Sequence, residues 1–136
     1  MIDIENEVFT AVATELRKQF KGILVYGDEG QRVMASFPVV TVMESDNVPY
    51  RRSMTSDKRE NHITVRYRVN AYSNKTSGKK AECKAIMAAV DSVLVDQLGF
   101  VRASMNQVKN LEDATIYRMV AEYTAVVSKN KIIYRS

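Results

Sequence analysis

His62-Ile-Thr-Val-Arg-Tyr-Arg-Val-Asn-Ala-Tyr-Ser73 alternates without a break, with Ile63, Val65, Tyr67, Val69 and Ala71 on one side and Thr64, Arg66, Arg68, Asn70 and Tyr72 on the other. Successive strand side chains point to opposite faces, so this period of two predicts a strand with one face buried and the other basic. A strand with one apolar face needs another layer to cover it. The rest of the chain supplies that layer and further strands.

Ile4, Val8, Val12, Leu16 and Phe20 recur every four residues with no Gly or Pro between them. They predict an amphipathic first helix that ends near Lys18–Phe20, with Gly22 just beyond. A second helix is expected from Gly78 to Leu98, with Cys83, Ile86, Met87, Val90, Val93 and Leu94 on one stripe and Gly99 as its stop. Thr76 or Ser77 is the expected N-cap. Short β candidates stand at Ile23–Tyr26 and Pro38–Met43, and longer ones at Phe100–Val108 and Thr115–Val127. A final Lys131–Arg135 segment is expected to pair at an edge or to form an arm within 129–136. The order α-β-β-β-α-β-β with short connections predicts one α+β domain over 1–136. Its two helices lie on one face of a mainly antiparallel sheet of four to five strands. A polar stretch at about 44–61 reads as a long loop, and loops of that length in compact domains are more often functional than decorative.

The 136 residues suit a single domain, and 26% charged against 46% hydrophobic residues is an ordinary globular balance. One cysteine, Cys83, excludes an intramolecular disulfide and any multi-cysteine metal site; it lies on the apolar stripe and reads as a buried, inert thiol. One histidine, His62, removes most nucleophile–base–orienter schemes. The acidic start Met1–Glu7 is unlike a signal peptide, and no apolar run approaches a membrane span of roughly 18 residues. A cytoplasm-like compartment is expected. Ser73-x4-Gly78-Lys79-Lys80 sits where a phosphate-binding loop would, after a strand and before a helix. It lacks the first glycine and has Lys80 where a magnesium-binding Ser or Thr belongs, so an ordinary helix start is expected. No enzyme, cofactor site or metal site assembles from these residues.

The net charge of +4 conceals a polarised chain: residues 1–30 sum to −3, and Tyr50 to Lys84 to +7. The second helix carries Lys79, Lys80 and Lys84 near its start and Asp91 and Asp96 toward its end, opposite to what the helix dipole favours. Its side away from the apolar stripe holds Ala81, Ala85, Ala88, Ser92 and Val95, small residues that let another surface approach closely. The basic run Tyr50, Arg51, Arg52, Lys58 and Arg59, near Arg66 and Arg68, is open to three readings: a solvated loop, a protein contact, or a nucleic-acid contact. Asp57 and Glu60 dilute the run, and no helix-turn-helix or stacking motif accompanies it.

Four stretches carry a resemblance to a known family: Ser36–Arg52, with its Phe-Pro-Val-Val-Thr-Val-Met core, the strand Tyr67–Ser73, Asn74–Cys83, and Ala114–Val120 leading to Tyr123. Over nearly its whole length the chain resembles a tail terminator of siphovirus-like tailed bacteriophages, a family also described as tail-completion or minor capsid proteins. The resemblance implies a structural virion protein. Six copies would form a ring that caps the end of a long, non-contractile tail tube, halts its polymerisation and presents the head-joining surface. DNA would pass through the ring's channel without specific binding. The implied partners are like subunits, the tail tube protein and head–tail connector proteins, with no membrane, and assembly would take place in the host cytoplasm. On this reading Tyr50, Arg51, Arg52, Lys58 and Arg59 are candidates for tube or connector contact. Arg66, Arg68, Lys80, Ala81, Lys84, Ala85 and Ala88 are candidates for the subunit interface, with the acidic first helix meeting a neighbour's basic Tyr50–Lys84 region. The family's motifs are structural, so no family binding residue carries over. Two alternatives stand beside it: a head–tail connector subunit of the same virion, and a small cytoplasmic nucleic-acid-binding domain.

Overall fold

The computed structural model describes residues 1–27, 37–49, 61–109 and 115–134. Helix α1 (Glu5–Gln19) leads into β1 (Leu24–Tyr26), β2 (Val39–Pro49) and β3 (His62–Ser73). Helix α2 (Lys79–Asp91) continues into a wider π-helical turn (Ser92–Gln97), followed by β4 (Val101–Gln107), β5 (Tyr117–Ser128) and β6 (Ile133–Tyr134). The strands form one sheet in the order β1-β2-β3-β5-β4, with β6 also paired to β5. Only β1 runs parallel to its neighbour, β2; the other pairs are antiparallel. The expected α+β architecture and element order are those observed.

β3 lies at the centre because its alternation lets it be covered. Ile63, Val65, Tyr67, Val69 and Ala71 are all fully buried, and the β5 residues Ala121, Tyr123, Ala125 and Val127 continue the same surface across an unbroken register. Val8, Val12 and Leu16 of α1 and Cys83, Ile86, Met87 and Val90 of α2 close over it. Phe100 follows Gly99, whose φ of +82° is the left-handed turn that suits glycine. The chain there drops into the core, and the Phe100 ring meets Tyr67 edge-on at 5.6 Å.

The two helices run antiparallel. Asn47 Nδ2 donates to Ile2 O at 3.1 Å and Lys131 pairs with Glu7 at 3.3 Å, so α1 starts at the end of the sheet where β2 and β5 finish. α2 starts at the opposite end, where Lys79 Nζ donates to Thr115 O at 3.0 Å.

Several expectations are corrected. The polar stretch at 44–61 is not loop throughout, since β2 runs on to Pro49. Its polar side chains find partners there: Tyr67 Oη donates to Glu44 Oε1 (3.2 Å), Ser45 Oγ donates to Arg66 O (3.1 Å), and a bulge between Glu44 and Asp46 adjusts the register. Residues 50–60 lie outside the described residues. Of the two readings of the last segment, pairing at an edge is the one observed over its described part: a turn with Lys131 at φ +63° returns Ile133 and Tyr134 to pair with Val127 and Val126. Neither Thr76 nor Ser77 caps α2; Gly78, at φ +84°, holds that place without a side-chain bond. The far face of β3 is not wholly solvated. Arg118 donates to Asn70 Oδ1 at 3.1 and 2.8 Å and stands 5.7 Å above the Tyr72 ring, and Asn70 Nδ2 donates to Thr41 Oγ1 at 3.0 Å. Asn70 and Tyr72 are buried as a result.

Candidate subunit interface

The sequence-derived site residues fall into three groups. Tyr50, Arg51, Arg52, Lys58 and Arg59 lie outside the described residues. Arg66 and Arg68 stand on the sheet face away from the helices, and both reach Glu122 on β5, at 2.8 and 3.3 Å. One carboxylate thus holds both guanidinium groups, and the basic face expected of β3 is partly neutralised from the adjacent strand. Lys80, Ala81, Lys84, Ala85 and Ala88 are exposed on the outer side of α2, across the sheet from the two arginines. The seven interface candidates therefore belong to two opposite surfaces rather than one.

Of the two surfaces, the outer side of α2 is the one that carries the small exposed residues. Ala81, Ala85 and Ala88 recur at helical spacing and leave the backbone open to close approach. This stripe runs into a groove of about 510 Å³, because α2 packs on β3 and β5 and leaves β4 uncovered. Met87, Ala88 and Ser92 form one wall, Arg102 and Met105 of β4 the other, and Met119 the floor. Thioethers adapt to irregular partners. β4 is also the last strand in the sheet order, so its outer backbone edge has no strand partner among the described residues. Sequence reasoning missed this groove. Its one sign was β4 itself, where Arg102, Ala103, Ser104, Asn106 and Gln107 offer little that a second layer would bury.

Asp91 ties the groove to the core. It accepts from Tyr123 Oη at 2.9 Å and from Arg102 Nη1 at 3.4 Å. Tyr123 and Tyr67 face each other across β5 and β3, and Glu44 takes the Tyr67 hydroxyl as Asp91 takes that of Tyr123. Burial first, and then the neighbouring carboxylate, push both tyrosines well above the ordinary phenol range, so they act as fixed donors. Burial likewise pushes the Cys83 thiol up to about 12, and its Sγ points at Ala71 O, 3.6 Å away. That thiol is buried, as expected.

The phosphate-loop lookalike is occupied by its own side chains. Ser73 Oγ donates to Glu82 Oε1 at 2.6 Å, and Lys75 pairs with Glu82 Oε2 at 3.3 Å. His62 is half-buried at the start of β3, its ring 5.9 Å from that of Tyr134. Among the described residues no group of three or more His, Cys, Asp or Glu could hold a metal ion, and no helix is long and apolar enough to cross a membrane.

Desolvation raises the Glu44 carboxyl above its ordinary value, hydrogen bonds from Tyr67 and Asn47 partly offset this, and Glu5 and Asp3 raise it further. A raised folded value means that Glu44 favours folding while protonated and loses that contribution as pH rises through the folded pKa. Glu44→Gln keeps an oxygen to accept from Tyr67 and Asn47. The variant is expected to melt like the wild type at pH 4 and at a higher temperature than it at pH 7.5. Thermal melts at the two pH values check this, and a lower midpoint for the variant at pH 7.5 contradicts it.

The chain matches no protein-family model and no curated protein sequence.

Proposed function

We propose that this chain is a structural virion protein, a tail terminator whose copies form a ring of six that caps the tube of a long, non-contractile tail. The observation that carries the reading is the outer side of α2. There an exposed small-residue stripe, a methionine-lined groove and a strand edge unpaired among the described residues form one continuous surface suited to contact with another protein. The four stretches that resemble the tail-terminator family give that contact its context. The ring stops tube growth and offers the surface to which head–tail connector proteins join. DNA passes through its channel without specific binding. The role needs no catalytic residue, cofactor or metal. The protein belongs to the head-proximal end of the virion tail and is assembled in the host cytoplasm.

Ring closure requires two different surfaces on each subunit, since like patches meeting each other would stop at a dimer. Purified chain added to tail tube subunits during polymerisation is expected to shorten the tubes in proportion to the amount added. Tubes of unchanged length, measured by electron microscopy, would sink the proposal.

A further inference from the structure

The outer edge of β4 carries backbone groups that no described strand takes up. β5 is paired on one side by β3 over its whole length and on the other by β4 and then β6, whereas β4 is paired by β5 alone among the described residues. In an antiparallel strand the N–H and C=O of one residue point to the same side, and that side alternates from residue to residue. Val108 N donates to Arg118 O at 3.0 Å, so Val108, Asn106 and Ser104 turn their backbone groups toward β5. Met105 and Gln107 turn theirs outward. Ser104, Asn106 and Gln107 are exposed and Met105 is half-buried, so this edge stands open to a partner.

Natural sheets blunt such edges with proline, lysine, very short strands or bulges. Val101–Gln107 contains neither proline nor lysine. It has one bulge, between Arg102 and Ser104, and the Arg102 side chain there is drawn toward α2, 3.4 Å from Asp91. Beyond the bulge the register runs regularly from Ser104 to Gln107. Met105 and Gln107 stand opposite Ala121 and Met119, which are buried, so both are on the helix side of the sheet. Alternate side chains of a strand added to this edge would stand level with them, beside the groove of about 510 Å³ that Met119 floors. The side chains between would stand level with Ser104 and Asn106 on the far face. Edge and groove therefore call for the same occupant, an extended segment with apolar side chains at every second position.

We infer that β4 receives an extended segment of a different protein as an added strand, with the segment's apolar side chains in the groove. A second copy of this chain has no described end to give. Its first residues are used within the chain, since Ile2 and Ile4 are buried in the core and Ile2 O accepts from Asn47 Nδ2 at 3.1 Å. Its last described residues return as β6 and pair with β5. The donor is the tail tube protein, and the inference rests on the terminator reading for that identity alone. Main-chain hydrogen bonds give such a contact its strength, and the groove sets which side chains it accepts. Ala81 and Ala85, outside the groove, stay open for contact between like subunits.

Proline at an outward-facing position removes an edge donor and leaves the ladder to β5 in place. Gln107→Pro is expected to melt and form rings as the wild type does. It is expected to bind tail tubes, taken from particles lacking this chain, about tenfold more weakly or worse, read by co-sedimentation. Gln107→Ala restores the N–H and is expected to recover the binding. Hydrogen exchange supplies a second readout: the Met105 and Gln107 amides of the wild type are expected to exchange fast in the free chain and in its rings, and slowly on tubes. Should Gln107→Pro melt early, the exchange measurement decides in its place. Wild-type binding by Gln107→Pro, no recovery in Gln107→Ala, or edge amides that stay fast on tubes would overturn the inference. So would protection already complete in rings of this chain alone, which would make a second copy the donor, or protection that appears only with connector protein. Slow edge amides on tubes whose lengths do not change would uphold the added strand and sink the terminator reading. Capped tubes with fast edge amides would do the reverse, and a wild-type chain that binds no tube would overturn both.

Discussion

Phe100→Ala is expected to cost about 3–5 kcal/mol of folding stability, the range for an aromatic ring deleted from a packed core. Phe100 is fully buried, and its N–H donates to Leu94 O at 2.8 Å, so the backbone is pinned at the point where the π-helical turn gives way to β4. The missing ring would leave a cavity against Tyr67, whose own ring is held by its hydroxyl on Glu44 and cannot swing across to fill it. Domains of this size are stable by about 5–15 kcal/mol, so the loss is a large share of the total. Urea unfolding midpoints check the prediction; a loss under about 1 kcal/mol would mean that the Tyr67–Phe100 contact does not hold the helix layer to the sheet.

The second large effect leaves stability alone and removes assembly. Ala85 and Ala88 are exposed on α2, so an arginine at either position reaches solvent, or the open groove beside Ala88, without displacing the core. In a close subunit contact the same side chains would bring an unpaired charge and excess volume into a packed surface, at roughly 2–5 kcal/mol. Ala85→Arg combined with Ala88→Arg is therefore expected to keep the wild-type melting temperature and to weaken ring formation by about a hundredfold or more. Particles carrying only this variant are expected to resemble particles lacking the protein altogether. Normal tails joined to heads would place the subunit interface elsewhere.

The fold was legible wherever periodicity met burial. β3 and β5 alternate because one side of each is covered by helices, and α1 and α2 show their stripes for the same reason. The second half of β2 was hidden because Glu44, Ser45 and Asn47 read as loop residues until Tyr67, Arg66 and Ile2 are seen as their partners. The interface candidates were found as residue types but not as a surface. Whether Arg66 and Arg68 share a side of the molecule with Ala81 and Ala85 depends on which sheet face the helices cover. That Glu122 would reach both arginines depends on the pairing of β3 with β5. Sheet order likewise made the groove, since only the position of β4 beyond β5 leaves Met105 and Met119 under open space. The charge reversal within α2 was visible in the sequence.

Electron microscopy of particles made with and without this chain separates a terminator from a connector most directly. The terminator reading predicts overlong tubes, of irregular length and unattached to heads, when the chain is missing, and restored lengths when it is supplied. Tails of normal length beside filled, unjoined heads would contradict it and assign the chain to the head–tail connector instead.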